Sequence, residues 1–513
     1  MSWQPEIDEI ERRRAIARQM GEPERVARHH ADGKLTIRER IDGLIDPDSF
    51  HEIGSISGSV EYDEAGERVR YTPSQFIFGR ARIDGRPVVV GGNDFTIGPR
   101  GQDPGGSEKS AYLERMAGQL GLPLVRLIDG VGGNVRTIER LGRTYIPNNP
   151  GFNTLLENLN RAPVVALGLG IVAGYNVVKL ATSHYSMMVR ERSFMFMAGP
   201  PVVARLGQTV TKEELGGADL QARAGNVDDV VDSEEEAFER TRRFLSYLPA
   251  SVDELPPRAA CDDPVTRRED WLISAIPRDR RKVYDARKVA KAHFDKDSFF
   301  EIGRQFGGSL ITAFARLDGW PVAVMVSNPH IYGGGWTADT SEKAMRFVDL
   351  ANLFHLPLVN LVDVPGFVIG VEAEKAGTIR AGCRAMAAVS QAQGPACTII
   401  LRKCFGVAGG AHADHAKLQY RYAWPSGDWG SMPMEGGIEA AYRADIAAAA
   451  DPAARLKEIE DNLNQLRSPL RTAEHFMIEE IIDPRATREV LCEFANFAAK
   501  LRKTGPMSVG IRP

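Results

Sequence analysis

The chain repeats one pattern at a fixed displacement. In its first half, Ala-Arg-Ile-Asp-Gly-Arg-Pro-Val stands at residues 81–88, Ser-Glu-Lys at 107–109 and Leu-Pro-Leu-Val-Arg-Leu-Ile-Asp at 122–129. Related blocks return at residues 315–322, 341–343 and 356–363, each 234 positions later (315 − 81, 341 − 107 and 356 − 122). Three blocks in one register, with apolar runs between them, indicate a duplicated domain. Two copies of one fold commonly share a crevice, where we expect a ligand site.

Length and charge narrow the function classes. With 513 residues the chain is long enough for two or three domains with full cores. The formal net charge is −4, so no excess positive charge favours binding to nucleic acid or to an anionic membrane. The longest apolar stretches, such as residues 162–172, are broken by glycine and too short to span a bilayer.

Cysteine usage and the N-terminus predict a cytoplasmic location. The 5 cysteines are widely spaced and include no Cys-x-x-Cys pair, which is typical of reduced thiols. The first residues lack the basic and apolar regions of a signal peptide. Since no cluster of histidine and cysteine has the spacing of metal ligands, no metal is predicted.

Predicted strands and helices alternate within each half. In the first half, residues 87–91, 124–129 and 163–169 predict strands, and residues 107–120 and 153–159 predict helices. The same order follows in the second half at residues 322–326, 340–353, 358–363, 377–393 and 397–401. This alternation predicts an α/β fold whose sheets are covered by helices.

The remaining segments set the expected domain limits. Residues 6–45 predict helices, and residues 62–71, which the second half lacks, predict a hairpin or loop. Residues 248–278 are rich in proline, aspartate and arginine and predict the inter-domain linker. We therefore expect an N-terminal domain at residues 1–255 and a C-terminal domain at residues 256–513.

A glycine-rich turn follows the third predicted strand of each half. The first loop (residues 168–175) reads Gly-Leu-Gly-Ile-Val-Ala-Gly-Tyr, and the second loop (residues 405–410) reads Phe-Gly-Val-Ala-Gly-Gly. Small residues allow a sharp turn and close approach of a ligand. Free N–H groups where a helix begins attract negative charge, and two of them aimed at one point form an oxyanion hole. Alternatively, each turn joins a strand to a helix and binds no ligand. This alternative is less favoured because the turns occur at equivalent places in both halves.

Other polar groups give weaker signals. We interpret Ser183, His184 and Tyr185 as structural residues on an amphipathic helix, because no nucleophile elbow surrounds the serine. His412, Asp414 and His415 follow the second loop and are expected on an exposed helix. Asp129 and Asp363 end equivalent strands, which predicts a shared role in a turn. No Walker A sequence occurs, and residues 233–236 predict a helix start.

Five segments resemble the carboxyltransferase (β) subunits of biotin-dependent acyl-CoA carboxylases, the group of propionyl-, methylcrotonyl- and acetyl-CoA carboxylases. They are Gly-Lys-Leu-Thr-Ile-Arg-Glu-Arg-Ile at 33–41, Glu-Glu-Leu-Gly-Gly-Ala at 213–218, Val-Asp-Val-Pro-Gly-Phe at 362–367, Tyr-Ala-Trp-Pro at 422–425 and Ile-Asp-Pro-Arg-Ala-Thr-Arg at 482–488. These segments run from residue 33 to residue 488, so the resemblance covers nearly the whole chain.

The resemblance implies two tandem crotonase-like (ClpP/crotonase) domains in a cytoplasmic hexamer, with acyl-CoA on the N-terminal domain and biotin on the C-terminal domain of a partner subunit. Biotin would be carried by a partner protein or domain, through a biotin carboxylase and biotin carboxyl carrier subunit, and coenzyme A would enter as part of the substrate. The family's members are ligases or transferases. No metal, nucleic acid or membrane is implied.

The resemblance also assigns the two loops. The backbone N–H groups of Gly174 and Tyr175 would stabilise the enolate oxygen of the acyl-CoA thioester. Those of Val407 and Ala408 would stabilise the biotin enolate after carboxybiotin releases CO2. The biotin enolate itself would take the α-proton, so no side-chain base is needed. The residues expected to line the two substrate sites are Ala173, Gly406, Gly409 and Gly410.

The chain departs from the family pattern at four places. Tyr175 stands where a second consecutive glycine is usual, and its bulk predicts a reshaped acyl pocket. Gln221 replaces a histidine, and residues 132–135 read Gly-Gly-Asn-Val in place of Gly-Gly-Ala-Arg. Gly410 occupies a position that often carries an acyl-selecting side chain.

Three alternatives to the carboxylase subunit stay open. A decarboxylase would use the same loops for the reverse transfer. A non-catalytic subunit could scaffold such a complex, which the departures at Tyr175 and Gln221 motivate. A crotonase-type hydratase is less favoured, because hydration needs carboxylates near the oxyanion hole and the sequence shows none there.

Overall fold

In the computed structural model, the chain divides into two compact units between Glu254 and Leu255. The structure describes residues 2–66, 68–97, 106–132, 135–146, 151–412 and 420–510. Four of the positions discussed for the sequence, Gly133, Asn134, Asp414 and His415, lie outside the described residues.

The first unit has a single main sheet covered by helices. Its helices are α1 (Gln4–Arg18), α2 (Pro23–Ala31), α3 (Ile37–Leu44), α4 (Gly106–Leu120), α5 (Arg136–Leu141), α6 (Phe152–Leu159), α7 (Tyr175–Ala181), α8 (Pro200–Val203), α9 (Lys212–Gly216), α10 (Ala218–Arg223) and α11 (Glu234–Ser246), with a 3₁₀ turn at Ala204–Leu206. Its strands are β1 (His51–Glu52), β2 (Gly58–Tyr62), β3 (Arg68–Pro73), β4 (Phe76–Ile83), β5 (Arg86–Asn93), β6 (Leu124–Gly130), β7 (Val164–Ala173), β8 (Tyr185–Val189), β9 (Phe194–Phe196) and β10 (Asp229–Val231).

The second unit is built in the same order. Its helices are α12 (Ala286–Lys291), α13 (Ala338–Leu353), α14 (Val371–Lys375), α15 (Thr378–Gln391), α16 (Gly406–Gly410), α17 (Met434–Ala441), α18 (Arg443–Ala448), α19 (Pro452–Leu466), α20 (Pro469–Glu474) and α21 (Thr487–Leu501). Its strands are β11 (Phe300–Ile302), β12 (Leu310–Leu317), β13 (Trp320–Ser327), β14 (Leu358–Val364), β15 (Ala396–Phe405), β16 (Tyr420–Ala423), β17 (Asp428–Gly430) and β18 (Glu480–Ile481). Its 3₁₀ turns lie at Asp270–Ser274, Tyr332–Gly334 and Pro484–Ala486.

The two sheets have the same topology, as the sequence repeat predicts. The strand order is β1-β4-β5-β6-β7-β8-β10 in one and β11-β12-β13-β14-β15-β16-β18 in the other. In each, the first two pairs are antiparallel and the others parallel. A short strand, β9 or β17, pairs with the far end of β7 or β15. The hairpin β2–β3 spans residues 58–73, across the predicted residues 62–71, and has no counterpart among the described residues of the second unit.

The central strands are buried along almost their whole length and are mostly apolar, which is typical of parallel strands whose two faces are covered by helices. All seven residues of β14 are buried, and six of seven in β6. The predicted linker is less free than its composition suggests, since Leu272 and Ile276 join the core of the second unit. Among the described residues no helix is long and apolar enough to cross a membrane.

Structural contacts explain several of the family-like segments. Thr36 and Glu39 form a reciprocal capping box that starts α3. Trp424 is buried and its Nε1 donates to Thr487 Oγ1 at 2.9 Å. Arg488, which is 1% exposed, donates to Asp295 Oδ1 at 2.9 Å and to three backbone carbonyls. Contacts of these segments therefore start helix α3 and hold the second unit together.

Candidate active site

The first loop is shorter than the sequence predicts. Residues 168–173 belong to strand β7, and the sharp turn from strand to helix is confined to Gly174. Strand β7 continues to Ala173, and α7 begins at Tyr175. Gly174 joins them with φ 64° and ψ −135°, a left-handed backbone conformation that a residue with a Cβ adopts only under strain. Since the first N–H groups of a helix have no acceptor within it, the turn leaves the N–H of Tyr175 available to a ligand.

The second loop repeats this arrangement at the end of β15. Gly406 follows Phe405 with φ 60° and begins the five-residue helix α16. Val407 is 59% exposed, whereas Ala408 and Gly409 are buried. A Cβ placed on Gly410 meets no atom of the other described residues within 4 Å. Among the residues that the structure describes, none therefore covers the second loop at Gly410, and Val407 is exposed.

The structure brings the predicted site residues into two groups. Ala173, Gly174 and Tyr175 are consecutive in the first unit, at the end of β7. The second group lies in the second unit at the end of β15 and comprises Gly406, Val407, Ala408, Gly409 and Gly410. Each group sits at the carboxyl end of parallel strands, where open α/β sheets generally bind ligands.

Asp129 supports the first loop from the neighbouring strand. Its side chain is fully buried, and its Oδ1 accepts a hydrogen bond from the backbone N–H of Ile171 at 3.1 Å, three residues before Gly174. The ladder between β6 and β7 shifts register at this point. A Cβ on Gly170 would lie 2.2 Å from Asp129 Oδ1, so glycine is needed there to admit the carboxylate.

Asp363 does the same for the second loop. Its Oδ1 accepts from the backbone N–H of Lys403 at 3.0 Å, again three residues before the turning glycine, Gly406. The ladder between β14 and β15 also shifts register here. The expected turn role of the two aspartates thus takes a specific form: each carboxylate holds the strand that delivers a loop.

An arginine balances the charge of each buried aspartate, but the two arginines lie on different elements of their units. Arg40 of α3 is fully buried and donates to both oxygens of Glu234 at 2.8 Å, while its Nη2 lies 3.4 Å from Asp129 Oδ2 and 3.2 Å from the Leu169 carbonyl. In the second unit Arg402, on β15 itself, donates to Asp363 Oδ2 at 2.8 Å. Arg40 lies in the family-like segment at residues 33–41, but the sequence did not assign it this role, and it did not single out Arg402.

Tyr284 completes the surroundings of Asp363. Its hydroxyl donates to Asp363 Oδ2 at 3.1 Å. Burial, followed by the nearby Asp363 carboxylate, raises the pKa of Tyr284 well above its usual range, so the hydroxyl remains a donor. Asp363 therefore receives hydrogen bonds on both oxygens and is not available as a proton acceptor for a substrate.

The expectation of an amphipathic helix at Ser183, His184 and Tyr185 is wrong, although their structural role is as predicted. Helix α7 ends at Ala181, and Tyr185 begins strand β8. The buried imidazole of His184 accepts from the Val164 N–H at 2.9 Å and its Nε2 lies 2.9 Å from the Leu159 carbonyl. The ring thus links two backbone segments, which a short-range helical pattern does not reveal.

The expectation of an exposed His412 is also wrong. His412 is 3% exposed and packs edge-on against Trp336, with ring centres 5.1 Å apart. Its Nδ1 lies 3.3 Å from the Gly409 carbonyl, and its own carbonyl accepts from Asn360 and Thr398. Because α16 is so short, the chain returns at once into the core, and His412 anchors the end of the second loop.

His412 predicts a pH-dependent loss of stability. Burial lowers its pKa to about 4, against smaller raising contributions from hydrogen bonds to Gly409 and Ala408. As pH falls below the unfolded value of about 6.5, only the unfolded chain takes up this proton, so stability is lost between about pH 6.5 and pH 4. Linkage puts the loss at about 2 kcal/mol by pH 5. Thermal midpoints at pH 7 and pH 5 should therefore differ less in His412→Gln than in the natural chain. Equal pH dependence in both proteins would contradict this assignment.

The described residues contain no group of three or more histidine, cysteine, aspartate or glutamate side chains arranged to hold a metal ion. What the two loops offer instead is backbone N–H groups at a turn whose geometry is held by a buried carboxylate. Such groups stabilise negative charge that develops on an oxygen.

Comparisons with known proteins identify the family of the chain. The family model described as carboxyl transferase domain matches residues 28–508. The carboxyltransferase subunit of propionyl-CoA carboxylase from Haloferax mediterranei is 32% identical over 99% of this chain and 98% of its own length. The methylmalonyl-CoA carboxyltransferase 12S subunit of Propionibacterium freudenreichii is 30% identical over 98% of this chain and 95% of its own.

Solved structures give the same relationship. The crystal structure of transcarboxylase 12S, described as a hexamer with methylmalonyl-coenzyme A and methylmalonic acid bound, superposes with a TM-score of 0.86 at 30% identity, covering 99% of this chain and 97% of that one. The predicted fold, two tandem crotonase-like α/β domains, is confirmed.

Proposed function

The chain belongs to the carboxyl transferase family, and we propose that its two glycine loops are the paired oxyanion sites of that reaction. As a carboxyltransferase subunit of the biotin-dependent acyl-CoA carboxylases, it moves a carboxyl group between biotin and an acyl-CoA. The observation that carries the proposal is the equivalence of the loops: each turns at a glycine with positive φ, three residues after an amide held by a buried aspartate.

The first loop is assigned to the acyl-CoA. The N–H groups of Gly174 and Tyr175 donate to the thioester oxygen, on which negative charge develops as the α-proton leaves. Ala173 and Gly174 present little side chain at the turn, so the thioester has access to these donors. This assignment gives the N-terminal domain, residues 1–255, the acyl-CoA side of the reaction.

The second loop is assigned to biotin. The ureido oxygen of biotin carries negative charge in the enolate and needs N–H donors. Val407 and Ala408 supply these donors at the start of α16. The loop also suits a group delivered by another protein, because Val407 is exposed and no described residue lies against Gly410. Because Gly406 and Gly409 have no side chains, they leave room for the ligand beside the loop. The biotin side then belongs to the C-terminal domain, residues 256–513.

The described surroundings of the loops favour catalysis without a side-chain base. Asp129 and Asp363 are engaged by arginine and by backbone N–H groups. His412 is buried, and burial holds its pKa at about 4. When bound, biotin supplies the carboxyl group as CO2 and accepts the α-proton, so the chain's own task is to hold the two oxygens and orient both substrates.

The proposed partners follow from the reaction. A partner protein or domain must carry the biotin, and a biotin carboxylase must load it. We propose a hexamer, as described for transcarboxylase 12S, in the cytoplasm. Exposed apolar side chains close together in the sequence, Leu466, Leu470, Phe476 and Met477, are typical of a surface that another subunit covers.

A half-reaction tests the chain without its partner. The purified protein is incubated with methylmalonyl-CoA labelled with ¹⁴C in the free carboxyl group, together with free biotin and without ATP. We expect label to move to biotin at a rate that depends on both protein and biotin concentration. Failure of transfer by a folded, oligomeric protein that binds the CoA ester would contradict the proposed function.

A further inference from the structure

A group of polar side chains lies beside the first loop and is not used by the reaction as described above. The hydroxyl of Tyr175 is buried and has no hydrogen-bond partner among the residues that the structure describes. A buried hydroxyl without a partner costs free energy. This cost is recovered if a ligand supplies the missing acceptor.

Lys179 lies one helical turn beyond Tyr175, on the same face of α7. Its Nζ is 5.8 Å from the centre of the Tyr175 ring. The ammonium group donates to Ser110 Oγ of α4 at 2.5 Å. Since an ammonium group carries three donors, one hydroxyl acceptor leaves capacity for a further ligand.

The charges around Lys179 do not balance within the described part of the chain. Glu114 is the carboxylate whose charge acts on Lys179. Arg126 engages both of its oxygens at 2.8 and 2.9 Å, and Asn158 donates to it as well. Glu114 and Arg126 neutralise each other, so the positive charge of Lys179 remains. Burial lowers the pKa of Lys179, and the nearby Glu114 opposes this.

An anion would satisfy both groups at once. A carboxylate presents two oxygens that accept from an ammonium and from a hydroxyl, and such charge-assisted hydrogen bonds are the strong ones. The position is set by the chain itself: the residue whose backbone N–H is assigned to the thioester also carries the unpartnered hydroxyl. Under the proposed function, the acyl group of a ligand held by the first loop is bound at the residue that carries this hydroxyl.

We propose that Tyr175 and Lys179 form a carboxylate-binding subsite of the acyl pocket. The proposal rests on the assignment of acyl-CoA to the first loop. The carboxylate has two possible sources. One is the carboxyl group that the reaction places on the α-carbon, and the other is a carboxylate already present at the far end of a dicarboxylic acyl chain.

Binding measurements on the full-length protein distinguish these sources. Dissociation constants are measured by calorimetry for two matched pairs: propionyl-CoA with methylmalonyl-CoA, which adds an α-carboxylate, and valeryl-CoA with glutaryl-CoA, which adds a terminal one. We expect the natural chain to prefer the carboxylate-bearing member of at least one pair. Lys179→Met and Tyr175→Phe should each reduce that preference by about tenfold or more.

Three further variants serve as controls. Lys179→Arg keeps the charge and should keep most of the preference. Lys212→Met removes one positive charge from an exposed lysine of the same unit that lies 6.0 Å from the Phe194 ring, and Tyr112→Phe removes an exposed hydroxyl; neither should alter the preference.

The outcomes separate this proposal from the proposed function. If the variants lose the preference only in the first pair, the subsite binds the product carboxylate. If they lose it only in the second pair, the subsite binds the terminal carboxylate of a dicarboxylic substrate. The subsite is refuted if the natural chain shows no preference in either pair, or if Lys179→Met and Tyr175→Phe keep it; carboxyl transfer to biotin by the same preparation would show that the proposed function stands nevertheless. If no CoA ester binds and no transfer occurs, both proposals fail.

Discussion

Replacing Tyr175 by proline should lower the turnover number of carboxyl transfer by about 10²- to 10³-fold, the usual cost of removing one oxyanion-hole donor. Proline has no backbone N–H, and it is favoured at the first position of a helix, which is where Tyr175 stands. Gly174 tolerates a following proline because its backbone conformation is the mirror image of an extended one and it has no Cβ. The substitution therefore removes the proposed donor with little change in the fold.

The control is Tyr175→Ala, which keeps the N–H and removes the side chain. With an acyl-CoA that bears no carboxylate, its turnover number should stay within about tenfold of the natural value, since only packing is lost. Steady-state kinetics and the thermal midpoint are measured for both variants. If Tyr175→Pro folds normally and keeps nearly full turnover, the backbone N–H of Tyr175 is not a donor to the transition state.

Removal of the buried Arg40 should have the largest effect on stability. Arg40→Met leaves Asp129 and Glu234 without their shared cation, and stranding buried charges costs about 3–5 kcal/mol. Asp129 would then hold the Ile171 amide less well, so the first loop should loosen and turnover should fall with stability. Hydrogen exchange localises the effect: amides of β6 and β7 should lose protection before those of the second unit.

Arg38 provides the matched control on the same helix. It forms a two-fold contact with Glu52 at 2.9 and 3.1 Å, but both side chains are partly exposed. A pair of this kind contributes at most about 1 kcal/mol. If Arg38→Met lowered the free energy of unfolding as much as Arg40→Met, packing on α3, and not the buried charge, would explain the loss of stability.

The sequence predicts the strand and helix order well, for physical reasons. Parallel strands covered on both faces are mostly apolar, so β6 and β14 stand out as apolar runs that only two polar residues interrupt in each strand. A turn with positive φ favours glycine, so the amino-acid pattern predicts a turn in each glycine-rich segment. The structure identifies Gly174 and Gly406 as the residues that turn. The repeat then predicts that both halves share one topology.

The supports of the loops could not be predicted in the same way. Arg40 meets Asp129 across 89 positions and Glu234 across 194, and no local pattern encodes a contact of that range. One signal does exist in the sequence: Asp129 and Asp363 end equivalent strands of the repeat. Their role as supports of the loops, however, depends on the register shifts between β6 and β7 and between β14 and β15. These shifts place each carboxylate against a backbone amide, and the sequence does not reveal them.

His412 and His184 show the limit of helical patterns. Both residues follow shortly after the start of a helix. If that helix were longer, they would lie on it, and their exposure would follow from the helix face they occupy. Helices α7 and α16 have seven and five residues, so the chain leaves the helical pattern before these histidines. Burial and partners are then decided by tertiary contacts, such as the Trp336 ring against His412.

The central claim is that this chain transfers a carboxyl group to an acyl-CoA, and the most direct measurement is fixation of ¹⁴C-bicarbonate. The chain is purified with its native biotin-bearing partners and supplied with ATP and acetyl-, propionyl-, butyryl-, methylcrotonyl- or hydroxyacyl-CoA. We predict acid-stable label in at least one CoA ester, dependent on ATP and on the biotinylated partner. A stable complex that carries biotin and hydrolyses ATP with bicarbonate, yet labels none of these esters, would contradict the account.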